Sequence, residues 1–287
     1  MKQLGCSTML YRSFSLAQAL AGIRKAGGHA IELCARSSTT GQITHLDLDR
    51  HDGVDGHYQE VKQTITTHGL KIESLAISGQ QISQPAGLER LIEASCQLQT
   101  DTVVVSSGGI SNSEESFLQF VDKVNQASTA LAGGQIRLSV KPRMGRAVHN
   151  VATAKQLMAK VDTNWVGLNF DATHIYRSHP DADPVRALTE LQPHIFTVRM
   201  RDHQLSREPK VGPVETQIPG NGGLDLARLA NIIKQMPNIS VAILEIVGIH
   251  KLPNPNFDTV QEIVTTSISY LKPLLWEYVA TPMTTII

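Results

Sequence analysis

Cysteine is scarce in this chain, charge of either sign is not in excess, and no apolar run is long enough to span a bilayer; each shortage closes off a class of function. Cys6, Cys34 and Cys96 are odd in number, far apart and outside any CxxC spacing. That pattern argues against a disulfide framework and against a thiolate zinc site, and predicts free buried thiols. Lys plus Arg and Asp plus Glu balance at 26 each, so there is no basic field to hold nucleic acid and no polybasic tail for a membrane surface. No apolar stretch approaches the roughly 20 residues needed to cross a bilayer. The opening MKQLGCSTMLYRSFSL lacks the apolar core of a secretory signal. The expectation is a soluble, intracellular, cytoplasmic protein with neither a nucleic-acid nor a membrane partner. Linkers and low-complexity tracts are also missing, so residues 1–287 are expected to form one domain.

With 41% hydrophobic and 18% charged residues, the chain has the composition of a globular protein with a full core. Short apolar runs alternate with stretches of helical periodicity. Strands are predicted at Gln3–Ser7, His29–Cys34, Lys71–Ile77, Thr102–Ser106, Ile136–Lys141, Val166–Asp171, Ile195–Met200 and Val241–Ile246. Between them, apolar residues recur at helical spacing, as in Leu16, Leu20 and Ile23 or Phe117, Phe120, Val121 and Val124. Gly27-Gly28 and Gly69 stand where helices should stop. Strict β/α alternation implies parallel strands with right-handed crossovers, and eight such units predict an α/β fold closed as a (β/α)8 barrel. The stretch from Ser37 to Gly56 reads either as an active-site loop or as a hairpin excursion.

Barrels of this kind place their chemistry at the C-terminal ends of strands. On the fifth strand the period of two puts Ser139, Lys141 and Arg143 on one face. The sixth ends Asn-Phe-Asp-Ala-Thr-His, with Asp171 at the rim and His174 just past it. The seventh sets Thr197, Arg199 and Arg201 on a shared face. In the eighth, Glu245 is the one charge in an apolar run and must be paired or bound to something. Glu32 on the second strand is a candidate rim residue, for substrate or for a salt bridge. His149, His179, His203 and His250 fall in predicted loops and read as solvated side chains.

Three segments carry a resemblance: Val166-Gly-Leu-Asn-Phe-Asp-Ala-Thr-His174, Phe196-Thr-Val-Arg-Met-Arg-Asp202, and Ile218-Pro-Gly-Asn-Gly-Gly-Leu-Asp225 followed by Ile243-Leu-Glu245. In this order and on these strands they resemble the xylose-isomerase-like family of sugar phosphate isomerases and epimerases. The resemblance covers the second half of the chain; the first half matches in rhythm and in Ala30-Ile-Glu-Leu33. It implies a divalent metal (Mn, Mg or Zn) held by a Glu, an Asp, a His and a Glu from strands five to eight. Asp171 and Glu245 match that metal set, but Lys141 stands for the first Glu and Arg199 for the His. Arg143 falls where many members carry a second His. Fixed cations repel a divalent ion, and arginine does not ligate one.

Two of four ligands are therefore missing, and the cofactor expectation is none. Lys141, Arg199 and Arg143 are expected to neutralise Asp171 and Glu245 in the ion's place. Those cations, with Arg201, are also candidate contacts for an acidic or phosphorylated sugar-like substrate. The Gly220–Gly223 turn before a helix is a candidate source of backbone amides for an anion. The leading expectation is an isomerase or epimerase that moves a proton next to a carbonyl, with Asp171 or Glu245 as base and His174 assisting. Lys141 as a Schiff-base amine, a dehydratase-type lyase, and an inactive barrel that binds a sugar-like anion are the alternatives. The tail, with Leu275, Trp276, Tyr278 and Val279, is expected to dock on its own barrel or on a second subunit of a homodimer.

Overall fold

Residues 2–37, 44–50, 56–179, 181–206, 211–253 and 255–276 are described by a computed structural model. In chain order the strands are β1 (Gln3–Ser7), β2 (Ala30–Arg36), β3 (Leu46–Asp47), β4 (Lys71–Ile77), β5 (Thr102–Ser106), β6 (Arg137–Lys141), β7 (Val166–Asp171), β8 (Ile195–Met200) and β9 (Val241–Leu244). All pairings are parallel. β1 pairs with β2 on one side, Gly5 opposite Ala30, and with β9 on the other, Gly5 opposite Ile243, which closes eight strands into a barrel.

The ninth strand is an appendage: β3 extends β2, with Leu46 opposite Ala35. A hairpin would be antiparallel, so this part of the Ser37–Gly56 stretch is a parallel add-on. Residues 38–43 and 51–55 of that stretch lie outside the described residues. The last barrel strand stops at Leu244, two residues short of expectation. Glu245 therefore stands just past the ladder, although its amide still donates to the Met200 carbonyl at 3.3 Å.

The helices are α1 (Leu16–Lys25), α2 (His57–Thr67), α3 (Pro85–Leu98), α4 (Glu114–Gly133), α5 (Val151–Met158), α6 (Ala172–Ser178), α7 (Pro184–Leu191), α8 (Leu226–Gln235) and α9 (Phe257–Trp276). Their starts are written in the chain. Ser15 accepts from the Gln18 amide while the Gln18 side chain returns to the Ser15 amide, a reciprocal cap for α1. Ala19, Leu20 and Ile23 then face the core, and Gly27 leaves the helix at φ +93°.

Two features position the site. α6 begins directly on the last residue of β7, because Asp171 Oδ1 accepts from the Thr173 amide at 3.0 Å; with no loop between them, His174 is held within the first turn beyond the strand. At the other end of the chain, Leu275 is buried and Trp276 Nε1 donates to the Lys2 carbonyl at 2.8 Å. This much of the tail docks on its own barrel; Tyr278 and Val279 lie outside the described residues. Among the described residues no helix is long and apolar enough to cross a membrane. Cys6 and Cys34 are buried free thiols as expected, but Cys96, also free, is exposed on α3.

Candidate functional site

A polar layer inside the barrel establishes which strand faces point inward. Ser139 and Thr197 share a hydrogen bond of 2.8 Å, and Asn169 donates to Thr197 at 2.7 Å. Two residues further along the same three strands, hence on the same inward face, come Lys141, Arg199 and Asp171. These charges pair in a definite way.

Arg201 presents a fork to Asp171, Nη2 to Oδ2 at 2.8 Å and Nε to Oδ1 at 3.4 Å, and its Nη1 donates to Gln217 Oε1 at 3.1 Å. Lys141 Nζ donates to Glu245 Oε2. Arg199 bonds Glu32 through Nε at 3.0 Å and through Nη2, and Glu73 through Nη1 at 3.2 Å; its Nε lies 3.6 Å from Glu245 Oε2. The expected neutralisation is thus present but redistributed. Arg201, not Arg199, takes Asp171, because Arg199 reaches across the barrel to Glu32 and Glu73. Arg143 takes no carboxylate among the described residues: it sits beyond the strand after Pro142 and is exposed.

Protonation follows from these pairs. Burial by itself would raise the Asp171 carboxyl, but Arg201, His174 and Lys141 hold it well below the usual carboxylate range. Glu245 is likewise pushed up by burial and pulled down further by Lys141 and Arg201, ending low. Glu73 ends high, since burial outweighs the pull of Arg199. His174 is lowered to about 3, first by burial and then by the nearby Arg201, Lys141 and Arg177 against the opposing pull of Asp171. Its imidazole is neutral at physiological pH, with Nε2 4.0 Å from Asp171 Oδ2.

Above these pairs opens a two-lobed cleft. A lobe of about 510 Å³ is walled by Arg12, Arg36, Lys141, Arg143 and Arg201, with Glu245 the one acid among the described residues. The adjoining lobe, about 770 Å³, shares Arg143 and His174 and adds Arg177 and Lys251. Five basic side chains against one carboxylate give the wall of the first lobe, among the described residues, an excess of positive charge. Lys141, Arg143, His174, Arg201 and Glu245 meet at this wall. Asp171, Arg199 and Glu32 are buried at 2%, 1% and 3% exposure and do not line it.

The Gly220–Gly223 turn departs from expectation. Three of its four amides are taken, Gly220 donating to Asp202 at 3.0 Å, Gly223 to the His203 carbonyl and Asn221 to the Ile218 carbonyl, and Leu224 just beyond the turn also donates to Asp202 at 3.0 Å. Gly222 lies so near that a Cβ would sit 2.3 Å from Asp202 Oδ1. The glycines allow a buried carboxylate to staple the turn; they do not offer an anion hole. His203 is also buried, bonded to the Ser206 carbonyl and set edge-on to Tyr176, whereas His179 and His250 are exposed.

The donor set does not fit a divalent metal. Both oxygens of Asp171 are engaged, by the Thr173 amide and by Arg201. Glu245 is held by Lys141, and a guanidinium fills the position where the resemblance calls for a histidine. Among the described residues, no cluster of three or more His, Cys, Asp or Glu side chains is arranged to hold one.

Sequence reading missed Glu73, Gln217, Arg12, Arg36 and Arg177. Glu73 carried the same signal as Glu245, a lone acid within a strand run. Arg36, four residues past Glu32 on one strand, was legible by periodicity. Arg12 lies on a turn and Gln217 ends a three-residue 3-10 helix, where no periodicity exists to read.

A family model described as xylose isomerase-like TIM barrel matches residues 20–272. No curated protein matches the chain. Solved structures of similar fold include the probable 3-DHS dehydratase AsbF from Bacillus anthracis, at 16% identity over 95% of this chain and 99% of that one, with a TM-score of 0.72. The IolI protein with a binding zinc atom shares 16% identity over 97% of this chain and 100% of its own, at a TM-score of 0.73. An L-ribulose 3-epimerase shares 14% over 96% and 95%, at 0.71. At such identities the likeness is one of fold.

Proposed function

This chain belongs to the xylose isomerase-like TIM barrel family, and on that premise we propose that its cleft takes a small anionic, sugar-like substrate and isomerises or epimerises it by proton transfer next to a carbonyl, with Lys and Arg side chains in place of a metal. The observation that carries the reading is the cleft wall, in which Arg12, Arg36, Lys141, Arg143 and Arg201 surround Glu245. The epimerase and the dehydratase among structures of the same fold support this reaction class.

Glu245 is the carboxylate that lines the first lobe, whereas Glu215 borders the second, so Glu245 takes the proton. Lys141, bonded to it, lies where a cation would stabilise the oxygen that gains charge as the carbon is deprotonated. Arg143 binds the substrate's anionic group, and Arg201, matched by Asp171, shapes the wall beside it. His174, neutral, serves as a hydrogen-bonding contact. Asp171 orients Arg201, while Arg199 and Glu32 brace the floor.

The test is solvent deuterium incorporation into sugar acids and sugar phosphates, followed by NMR, with and without chelator. Exchange that survives chelation and is lost in Glu245→Gln is the expected result. A stoichiometric divalent ion by elemental analysis, with exchange abolished by chelator, would sink the metal-free chemistry. Borohydride trapping of a carbonyl substrate on Lys141 would replace it with a Schiff-base lyase. A second reading, a barrel that binds the anion without turnover, is favoured by the environment of Glu245 and His174, which lowers the proton affinity of both and makes them weak bases. Ligand-induced thermal stabilisation with no exchange selects it.

A further inference from the structure

Not every cation in the cleft has charge to offer a ligand. Arg201 is matched by Asp171 and Lys141 by Glu245. Arg12 differs: among the described residues its guanidinium meets only His250 Nδ1, at 3.4 Å, and a histidine is never an anion; its buried Nε has no hydrogen-bond partner among them. Arg143 also lacks a carboxylate partner among the described residues, and its backbone is pinned in a turn by its amide donating to the Val148 carbonyl at 2.8 Å. These two uncompensated guanidiniums enter from opposite sides. Arg12 follows β1 and Arg143 follows β6, and around the ring β1-β9-β8-β7-β6-β5-β4-β2 these strands are four steps apart in either direction. Both line the first lobe, with Lys141 and Glu245 also in its wall.

A single small anion bonded to one of these guanidiniums leaves the other unneutralised across the cleft. A chain with an acidic group at each end satisfies both and lays its middle carbons over Glu245. Resting on the anion-binding reading above, we propose that the substrate is doubly anionic, a sugar-derived chain with carboxylate or phosphate at both ends, one held by Arg12 and the other by Arg143. Arg143 also borders the second lobe, where Arg177 and Lys251 stand, so the bulkier phosphate end belongs on that side.

Calorimetry with a matched series tests this: glucose (no acidic end), gluconate (one), glucarate and phosphogluconate (two). The doubly charged probes are expected to bind about tenfold or more tighter than gluconate, the scale of one added charge-assisted contact. Arg12→Gln and Arg143→Gln, each verified as folded by circular dichroism, should bring both doubly charged probes down to the affinity of gluconate. Gluconate binding as tightly as glucarate, or variants that weaken every charged probe equally, would overturn the proposal while leaving the anion site standing. Glucose binding as well as gluconate, or no binding by any charged probe, would overturn the underlying anion-site reading too.

Discussion

At the scale of a residue, His174 couples the site to pH. The folded protein protonates it near pH 3 and the unfolded chain near its ordinary 6.5. Between those values the unfolded state binds the extra proton, so stability rises with pH through the window and is lost as pH falls. The slope from this one group is about 1.4 kcal/mol per pH unit. His174→Gln should flatten the dependence of unfolding free energy on pH across that window, measured by urea titration at a series of pH values. An unchanged acid limb would mean that His174 charges freely in the folded state. The residue was legible as a site candidate because Asp171-Ala-Thr-His174 stands at a strand end; its neutrality was not, because that depends on burial and on Arg201, Lys141 and Arg177 converging from elsewhere.

At the scale of an element, the segment after β8 shows how a motif can be read correctly in place and wrongly in purpose. Gly220-Asn-Gly-Gly223 does precede a helix, but Asp202 takes the Gly220 and Leu224 amides that bracket it, and the helix cap is Asp225 accepting from the Arg228 amide. Gly222→Ala would force a Cβ against Asp202 Oδ1 and within 2.6 Å of the His203 amide. The staple must open, at a cost of about 1–3 kcal/mol. The expected outcome is a lower urea midpoint together with faster proteolysis between residues 211 and 225; a variant with wild-type stability and resistance would show that the staple is dispensable. The strands themselves were legible to within two residues, since a period of two in an apolar run is a strong local signal. β3 was not, because two residues bear no period.

At the scale of the whole molecule, Arg199 ties the barrel across its interior. From β8 it bonds Glu32 on β2 and Glu73 on β4 and comes within 3.6 Å of Glu245 beyond β9. Although burial disfavours its charge, these three carboxylates hold its proton more firmly than usual. Arg199→Ala leaves Glu32 and Glu73 buried without a counter-charge, and the expected loss is about 3–5 kcal/mol. Adding Glu32→Gln should return part of that loss, a coupling read by a double-mutant cycle in urea. A loss below about 1 kcal/mol would show that the cage does not bind the strands together.

The sequence by itself determined the eight-strand barrel, the shared faces of Ser139 and Lys141 and of Thr197, Arg199 and Arg201, and the presence of Asp171, His174 and Glu245 near the same end. Local periodicity carries that information, because alternation along a strand dictates which side chains share a face. Only the tertiary structure decided who pairs with whom. Arg199 meets Glu32 across 167 residues of chain and Glu73 across 126, and Arg12 and Arg143 come to line one lobe only once β1 has closed on β9. Pairing among buried charges is settled by which partners desolvate together when the ring shuts, and no spacing along the chain encodes that.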